Sequence, residues 1–269
     1  MADTKKIFLE TVNILDKGYY QNERGDTILL DLDDMIQNTI LYSERITITP
    51  RTYATKVEIC NEDTFDCAKR LITDSSTIPC VLNMCSERHI GGTVAWSGKA
   101  QEETLVCRST LIKSLYLYAE EPQKINVRNI VYYRLNLFNP NFGAIFSPNV
   151  IVFRKSDFSL CNKPFKVAVI SVPALYNPQR TLDGNLLESQ EFIIRNKIRT
   201  IFNVAIAHGL STIILGAMGC GAYNNPPKIV ANVFKEIQNE PMYKNSFKKI
   251  VFAILGEDNF KVFSEVLSS

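Results

Sequence analysis

The chain has only two histidines, His89 and His208, a single tryptophan, Trp96, and no C-x-x-C pair among its seven cysteines. Two imidazoles are too few for a histidine-based metal centre. The cysteines, at positions 60, 67, 80, 85, 107, 161 and 220, are odd in number and several sit in apolar runs, so they read as reduced, buried thiols rather than zinc ligands or a disulfide framework. No metal and no cofactor is expected. The compartment implied is cytoplasmic and reducing, a setting compatible with delivery into another cell by a route that needs no cleaved signal. The amphipathic start MADTKKIFLETV lacks a signal-peptide layout, and no apolar run approaches the ~20 residues of a membrane span. A net charge of +2 gives no pull toward nucleic acid or anionic membranes. What is present, 269 residues at 46% hydrophobic and 22% charged, suits an ordinary globular protein, expected to be a monomer.

Taken in order, residues 3–17 carry apolar positions at helical spacing and stop at Gly18. Gly25-Asp26 turns into a strand over 27–32, and Asp33-Asp34 caps a second helix ending near Ser43. A β-rich segment follows, with ITITP and TKVEIC as strands. Asn61-Glu62-Asp63-Thr64 caps a helix through Leu71, the strand 79–84 is buried, and a further helix runs from Gln101 to about Tyr118. The segment 119–165 predicts an ordered excursion with one short strand, Val150–Phe153. Beyond it come the apolar strand FKVAVISVPAL, a long helix 187–208 with Phe192 among its inward residues, the strand STIILGAMG, the helix KIVANVFKEI, the strand KKIVFAILG and a terminal helix. Apolar strands alternating with helices imply an α/β sheet covered on both faces, with ligands at the carboxyl ends of the strands. No low-complexity linker or internal repeat divides the chain, so one domain is expected.

Two stretches carry chemistry. In the first, Asn83 ends a buried strand, the turn Gly91-Gly92-Thr93 permits positive φ and close approach of a ligand, and Gln101-Glu102-Glu103 opens a helix. Glu102 and Glu103 point about 100° apart and cannot share one job, though both can border one concave site. Acidic residues are also common in a first helical turn because they offset the helix dipole, and spacing alone does not choose between these readings. In the second, Gly216-Ala-Met218-Gly219-Cys220-Gly221-Ala222-Tyr223 follows a buried strand and precedes a helix. Its amides can converge as a nest for a phosphate or diphosphate. The spacing is neither a Walker loop nor a dinucleotide fingerprint, and a tight packing turn also uses such glycines. Tyr223 is either a stacking platform or a core aromatic.

The combination of GGT-x7-QEE, the loop GAMGCGAYNNPP, the fragment FSPNVIVFR (146–154) and the opening LETVNILDKGYY resembles the microbial-type poly(ADP-ribose) glycohydrolase family, a branch of the macrodomain fold. These motifs span nearly the whole chain in the family's order. The resemblance implies a three-layer α/β/α sandwich with a mixed central sheet, preceded by an N-terminal helical extension of about residues 1–50 within one domain, 1–269. It implies binding of ADP-ribose and ADP-ribosylated proteins, and hydrolysis at the anomeric carbon of the distal ribose. Glu103 then matches the catalytic glutamate and Glu102 the one that holds the ribose. Gly91 and Gly92 match the first two glycines of the family's GGG loop, and Gly216, Gly219, Gly221 and Tyr223 match the diphosphate loop with its aromatic, usually Phe. Asn83 matches the strand-end asparagine, and Asp63, more loosely, an adenine contact.

Two departures stand out. Thr93 replaces the third glycine and Ile90 the usual proline, which implies a bulkier loop against the distal ribose. On that ground a mono-ADP-ribosyl substrate is expected over polymer. Two adjacent carboxylates favour a cationic acceptor, so arginine is expected first. An oxocarbenium-like transition state needs one group to handle the leaving atom's proton and a second, negative group nearby, and neighbouring carboxyls with separated pKa values supply both. A non-catalytic ADP-ribose reader has no need of the pair.

Overall fold

A computed structural model describes residues 3–74, 77–121, 125 and 128–268. The chain runs α1 (Thr4–Lys17), β1 (Tyr19–Gln21), β2 (Thr27–Leu29), α2 (Asp33–Gln37), β3 (Ile40–Tyr42), β4 (Lys56–Cys60), α3 (Thr64–Leu71), β5 (Cys80–Asn83), α4 (Gln101–Arg108), α5 (Leu111–Leu115), β6 (Ala144–Arg154), β7 (Leu160–Ser171), α6 (Glu188–Ala207), β8 (Thr212–Leu215), α7 (Pro227–Gln238), β9 (Lys249–Ala253) and α8 (Glu257–Ser268). β1 and β2 form a separate hairpin. The other seven strands make one mixed sheet in the order β3-β6-β7-β5-β8-β9-β4. It is antiparallel across β3, β6 and β7 and parallel from β7 to β4.

The apolar strands are explained by the two layers that cover this sheet. Successive strand residues face opposite ways. Val81, Val169, Ile214 and Val251 join α1 to α5 in one core, whereas Cys80, Leu82, Ile170, Leu215 and Phe252 join α6, α7 and α8 in the other. α1 ends as expected at Gly18, which adopts φ 77° and donates its N–H to the Ile14 carbonyl.

Several local expectations differ. The helix from Gln101 breaks at Ser109, whose backbone is extended. Ser109 bridges to Val152, Thr110 donates its N–H to the Ile151 carbonyl, and β6 thereby breaks a run that is continuously helical in pattern. The expected short strand is the second half of the eleven-residue β6. Pro148 masked it, because proline lacks an N–H; it sits where the β6–β7 register shifts between Ser147 and Val150. α2 stops at Gln37 so that Ile40–Tyr42 can pair with β6, and ITITP joins no strand. Phe192, expected inward, is exposed, and so is Trp96. Part of the 119–165 excursion lies outside the described residues.

A charge pattern with no sequence signal fixes one end of the sheet. Arg108, the last residue of α4, is 2% exposed. It pairs with Asp63 at 2.7 Å and Asp66 at 2.8 Å, donates Nε–H to the Arg154 carbonyl and stands 5.4 Å from the Phe65 ring centroid. It therefore ties the first turn of α3 to α4 and to the end of β6. Arg108→Leu should cost about 2–4 kcal/mol in urea unfolding, below the full penalty of a broken buried pair because Asp66 is partly solvated. Arg108→Lys should recover only part of the loss, since an ammonium lacks the fork that reaches both carboxylates.

Candidate active site

The carboxyl ends of β7, β5, β8, β9 and β4 lie side by side, so the segments after them converge. Between them is a cleft of about 370 Å³ lined by Asp63, Met84, Gln101, Gly219, Gly221 and Tyr223, among others. Its far end is walled by Ile254, Leu255 and Asn259, which follow β9. Nothing in ILGEDN marks a ligand contact in the sequence, and only the fold brings these residues to the cleft.

Gln101 is a brace. Its Oε1 accepts from the Met84 amide at 2.8 Å, and its Nε2 donates to the Leu82 carbonyl at 2.8 Å and to Thr64 Oγ1 at 3.1 Å. The start of α4 is thus fixed to the end of β5 and to the start of α3. The next two residues, Glu102 and Glu103, are 3% and 5% exposed and do not line the cleft itself. Glu102 Oε2 accepts from the Ser86 amide at 2.7 Å. Glu103 Oε1 accepts from the Thr93 amide at 2.8 Å and the Thr93 hydroxyl at 3.0 Å. Their other oxygens, Glu102 Oε1 and Glu103 Oε2, are buried without a partner, as is Asn83 Oδ1. Asn83 Nδ2 donates to Ser171 Oγ at 3.0 Å, so the amide is fixed through its nitrogen alone. Buried polar atoms without partners are uncommon in folded proteins, and three gathered at one strand end mark a site that accepts donors.

The glycine turn is shaped around the carboxyls. Gly92 has φ 64°, and a Cβ there would run into Glu103 and come within 3.2 Å of Glu102 Oε2. Gly91, at φ 72°, would place a Cβ 3.0 Å from Ile112 Cδ1. Thr93 turns its hydroxyl onto Glu103, and Ile90 is buried in the α1–α5 core. Neither departure from the family pattern projects into the cleft.

Opposite, the loop 216–225 is held by Asn225, which is 3% exposed and donates to the carbonyls of Leu175, Gly219 and Tyr223 at 2.8–3.1 Å. Gly219 has φ 72°, and a Cβ there would strike this amide and approach Ala174 Cβ at 2.8 Å. By contrast a Cβ on Gly221 meets nothing within 4 Å. The amides of Gly219, Gly221, Ala222 and Tyr223 find no acceptor among the described residues. Met218 is buried beneath the loop, the Cys220 thiol points back to the Met218 carbonyl, and a Cβ on Gly216 would press on Met84. Tyr223 packs edge-on against Tyr176 with centroids 5.2 Å apart. Asp63 borders the cleft, but its Oδ1 caps α3 through the Phe65 and Asp66 amides and also pairs with Arg108.

Residues 9–155 match the model of the microbial-type PARG catalytic domain, a span that includes the glycine turn and the carboxyl pair. The chain belongs to this family of glycohydrolases. It is similar to the poly(ADP-ribose) glycohydrolase of Thermomonospora curvata bound to the inhibitor ADP-HPD, with 26% identity, TM-score 0.79, and 97% of this chain and 98% of that one covered. It is also similar to the poly(ADP-ribose) glycohydrolase of Deinococcus radiodurans in complex with ADP-ribose, with 26% identity, TM-score 0.71, and 90% of this chain and 98% of that one covered. No curated protein matches the chain. No helix among the described residues is long and apolar enough to cross a membrane.

In this microbial-type PARG domain, burial pushes the Glu102 carboxyl well above the usual range; the Ser86 amide opposes this, and the charge of Glu103 adds to it. A carboxyl whose folded pKa is raised holds its proton in the native state after the unfolded chain has released it, so it destabilises the fold as pH rises through and above the ordinary carboxylate range. Glu102→Gln should therefore melt with the parent at acid pH, where both states are protonated, and increasingly above it toward neutral pH. Thermal unfolding across pH 4 to 8 measures this, and a constant offset would show that Glu102 is ionised in the fold.

Proposed function

We propose that this microbial-type PARG domain binds ADP-ribose and hydrolyses the glycosidic bond at the anomeric carbon of its distal ribose, releasing ADP-ribose from modified proteins. The observation that carries the proposal is the group of three unpartnered oxygens, on Asn83, Glu102 and Glu103, behind the Gly91-Gly92 turn and across from four unpartnered amides. Amides that converge in a glycine loop suit a diphosphate. Carboxyl oxygens that lack donors suit ribose hydroxyls and a leaving atom. Cleavage develops positive charge on the ribose, which a carboxylate stabilises while the leaving atom is handled as a proton acceptor. Glu103, fixed at one oxygen by Thr93, has the other free for the proton. Glu102, whose burial favours its protonated form, is assigned to orienting a ribose hydroxyl through its own free edge. A reader module gains nothing from keeping two carboxyls in so dry a place, and we read the pair as catalytic.

Two substrate classes fit the acceptor side of this reading. Mono-ADP-ribosyl protein, with arginine first, is favoured there by bulk at Thr93 and Ile90 and by a doubly negative field. Ile90 is buried in the core, Thr93 faces Glu103, and burial raises the Glu102 pKa, so all three grounds weaken. Polymer therefore stands beside mono-ADP-ribosyl protein as a substrate. A comparison of kcat/KM on polymer and on arginine-linked mono-ADP-ribose, at equal ADP-ribose content, ranks the two.

Glu103→Gln should keep the fold and bind ADP-ribose within roughly threefold of the parent while turnover falls by about 10²–10⁴. Gly221→Val should leave the melting temperature unchanged, since its side chain enters open space, yet abolish ADP-ribose binding in calorimetry. Unchanged affinity in that variant would remove the loop from the site.

A further inference from the structure

At the rim of the cleft, around the start of α3, four side chains surround one arginine nitrogen, and one of them, Glu58, is also held by Lys249 at 2.5 Å. Arg70 Nη2 lies 2.6 Å from Glu58 Oε1, 2.8 Å from Glu62 Oε2, 3.8 Å from Cys60 Sγ and 3.7 Å from Cys67 Sγ. The ligand atoms of Cys60, Glu62 and Cys67 all lie within 4.8 Å of one another. Their positions follow from the backbone. Glu58 and Cys60 share a face of β4 as alternate residues, Glu62 sits in the turn, and Cys67 and Arg70 are one turn apart on α3. Arg108 and the Asp63 cap hold that turn in place.

An arginine bridging two glutamates is a common surface pairing and needs no sulfur. The two thiols meeting at the same point are what that pairing leaves unexplained. We propose that Cys60, Cys67 and Glu62, with a water as fourth ligand, form a binding site for a soft divalent cation of the zinc class, for whose position the Arg70 guanidinium competes. Two sulfurs, one carboxylate oxygen and a water are a donor set that tetrahedral zinc accepts, and bonding at about 2.0–2.3 Å asks the sulfurs to close in by about 1.4 Å. The Arg70 side chain is 43% exposed, so it can withdraw into solvent. On binding, each thiol gives up its proton, two metal–thiolate bonds form, two protons pass to the buffer and no electron is transferred. The spacing C-x6-C carries no recognised metal signature; the strand–turn–helix geometry brings the sulfurs together. The proposal does not depend on the hydrolytic activity.

The test titrates the full chain, kept reduced, with Co²⁺ and then displaces it with Zn²⁺. One Co²⁺ per chain should give a sulfur-to-cobalt charge-transfer band, with two protons released per ion. Cys60→Ser and Cys67→Ser should each weaken binding by roughly tenfold or more, and Arg70→Gln, which removes the competing cation, should tighten it about threefold or more. In the unaltered chain, Zn²⁺ should slow alkylation of Cys60 relative to Cys220, a measurement that needs no variant to fold. No band in either the parent or Arg70→Gln, weaker binding in Arg70→Gln, a band that survives both serine substitutions, or Cys60 alkylation indifferent to Zn²⁺ would each overturn the proposal.

Discussion

The removal of Glu102 and Glu103 from water is the constraint to which the rest of the site answers. Each carboxyl has one oxygen bonded to a backbone amide and the other without a partner. Leaving such atoms unsatisfied costs more than a typical hydrogen bond returns, so the arrangement persists only where neighbouring structure holds it. Gln101 locks the first turn of α4 to β5, Gly92 lets the turn close against both side chains, and Thr93 grips Glu103 twice. The α4 dipole favours negative charge at this end, and burial opposes it. For Glu102 burial prevails. Two neighbours on one helix thereby acquire different chemistry.

The sheet explains why these groups lie beside a cleft at all. Parallel pairing from β7 to β4 aligns five strand ends, and the loops that leave them have nowhere to go but around a common cleft. Those loops are tied to one another as well as to the sheet. Asn225, by bonding three carbonyls from two segments, turns the glycine loop into a preformed cradle. On the proposed function, its amides are ordered before a diphosphate arrives, which limits the entropic cost of binding.

Charge is concentrated where β4 passes into α3. Arg108 on the inner side and Arg70 on the outer side hold four carboxylates of one short segment between them. The inner arginine is buried and rigid, whereas the outer one is exposed and replaceable. This asymmetry separates a buried structural pair from a solvent-exposed one on a different pair of carboxylates.

The sequence by itself determined the alternation of apolar strands and helices, the caps at Asp63 and Gly18, and the stretches that carry the glycines and the carboxyl pair. These are properties of short windows, governed by periodicity and by the few residues that tolerate special backbone angles. Only the tertiary structure decided what lies far apart in sequence. The break at Ser109 depends on β6, the length of β6 depends on a partner that tolerates Pro148, and Ile90 and Thr93 turn inward because core and carboxyl claim them. Arg108, Asn225 and the meeting of Cys60 with Cys67 leave no mark in any window, since their roles arise from contacts that exist only once the strand ends are brought side by side. The raised pKa of Glu102 is the sharpest case, because a pKa is set by what surrounds the group in space.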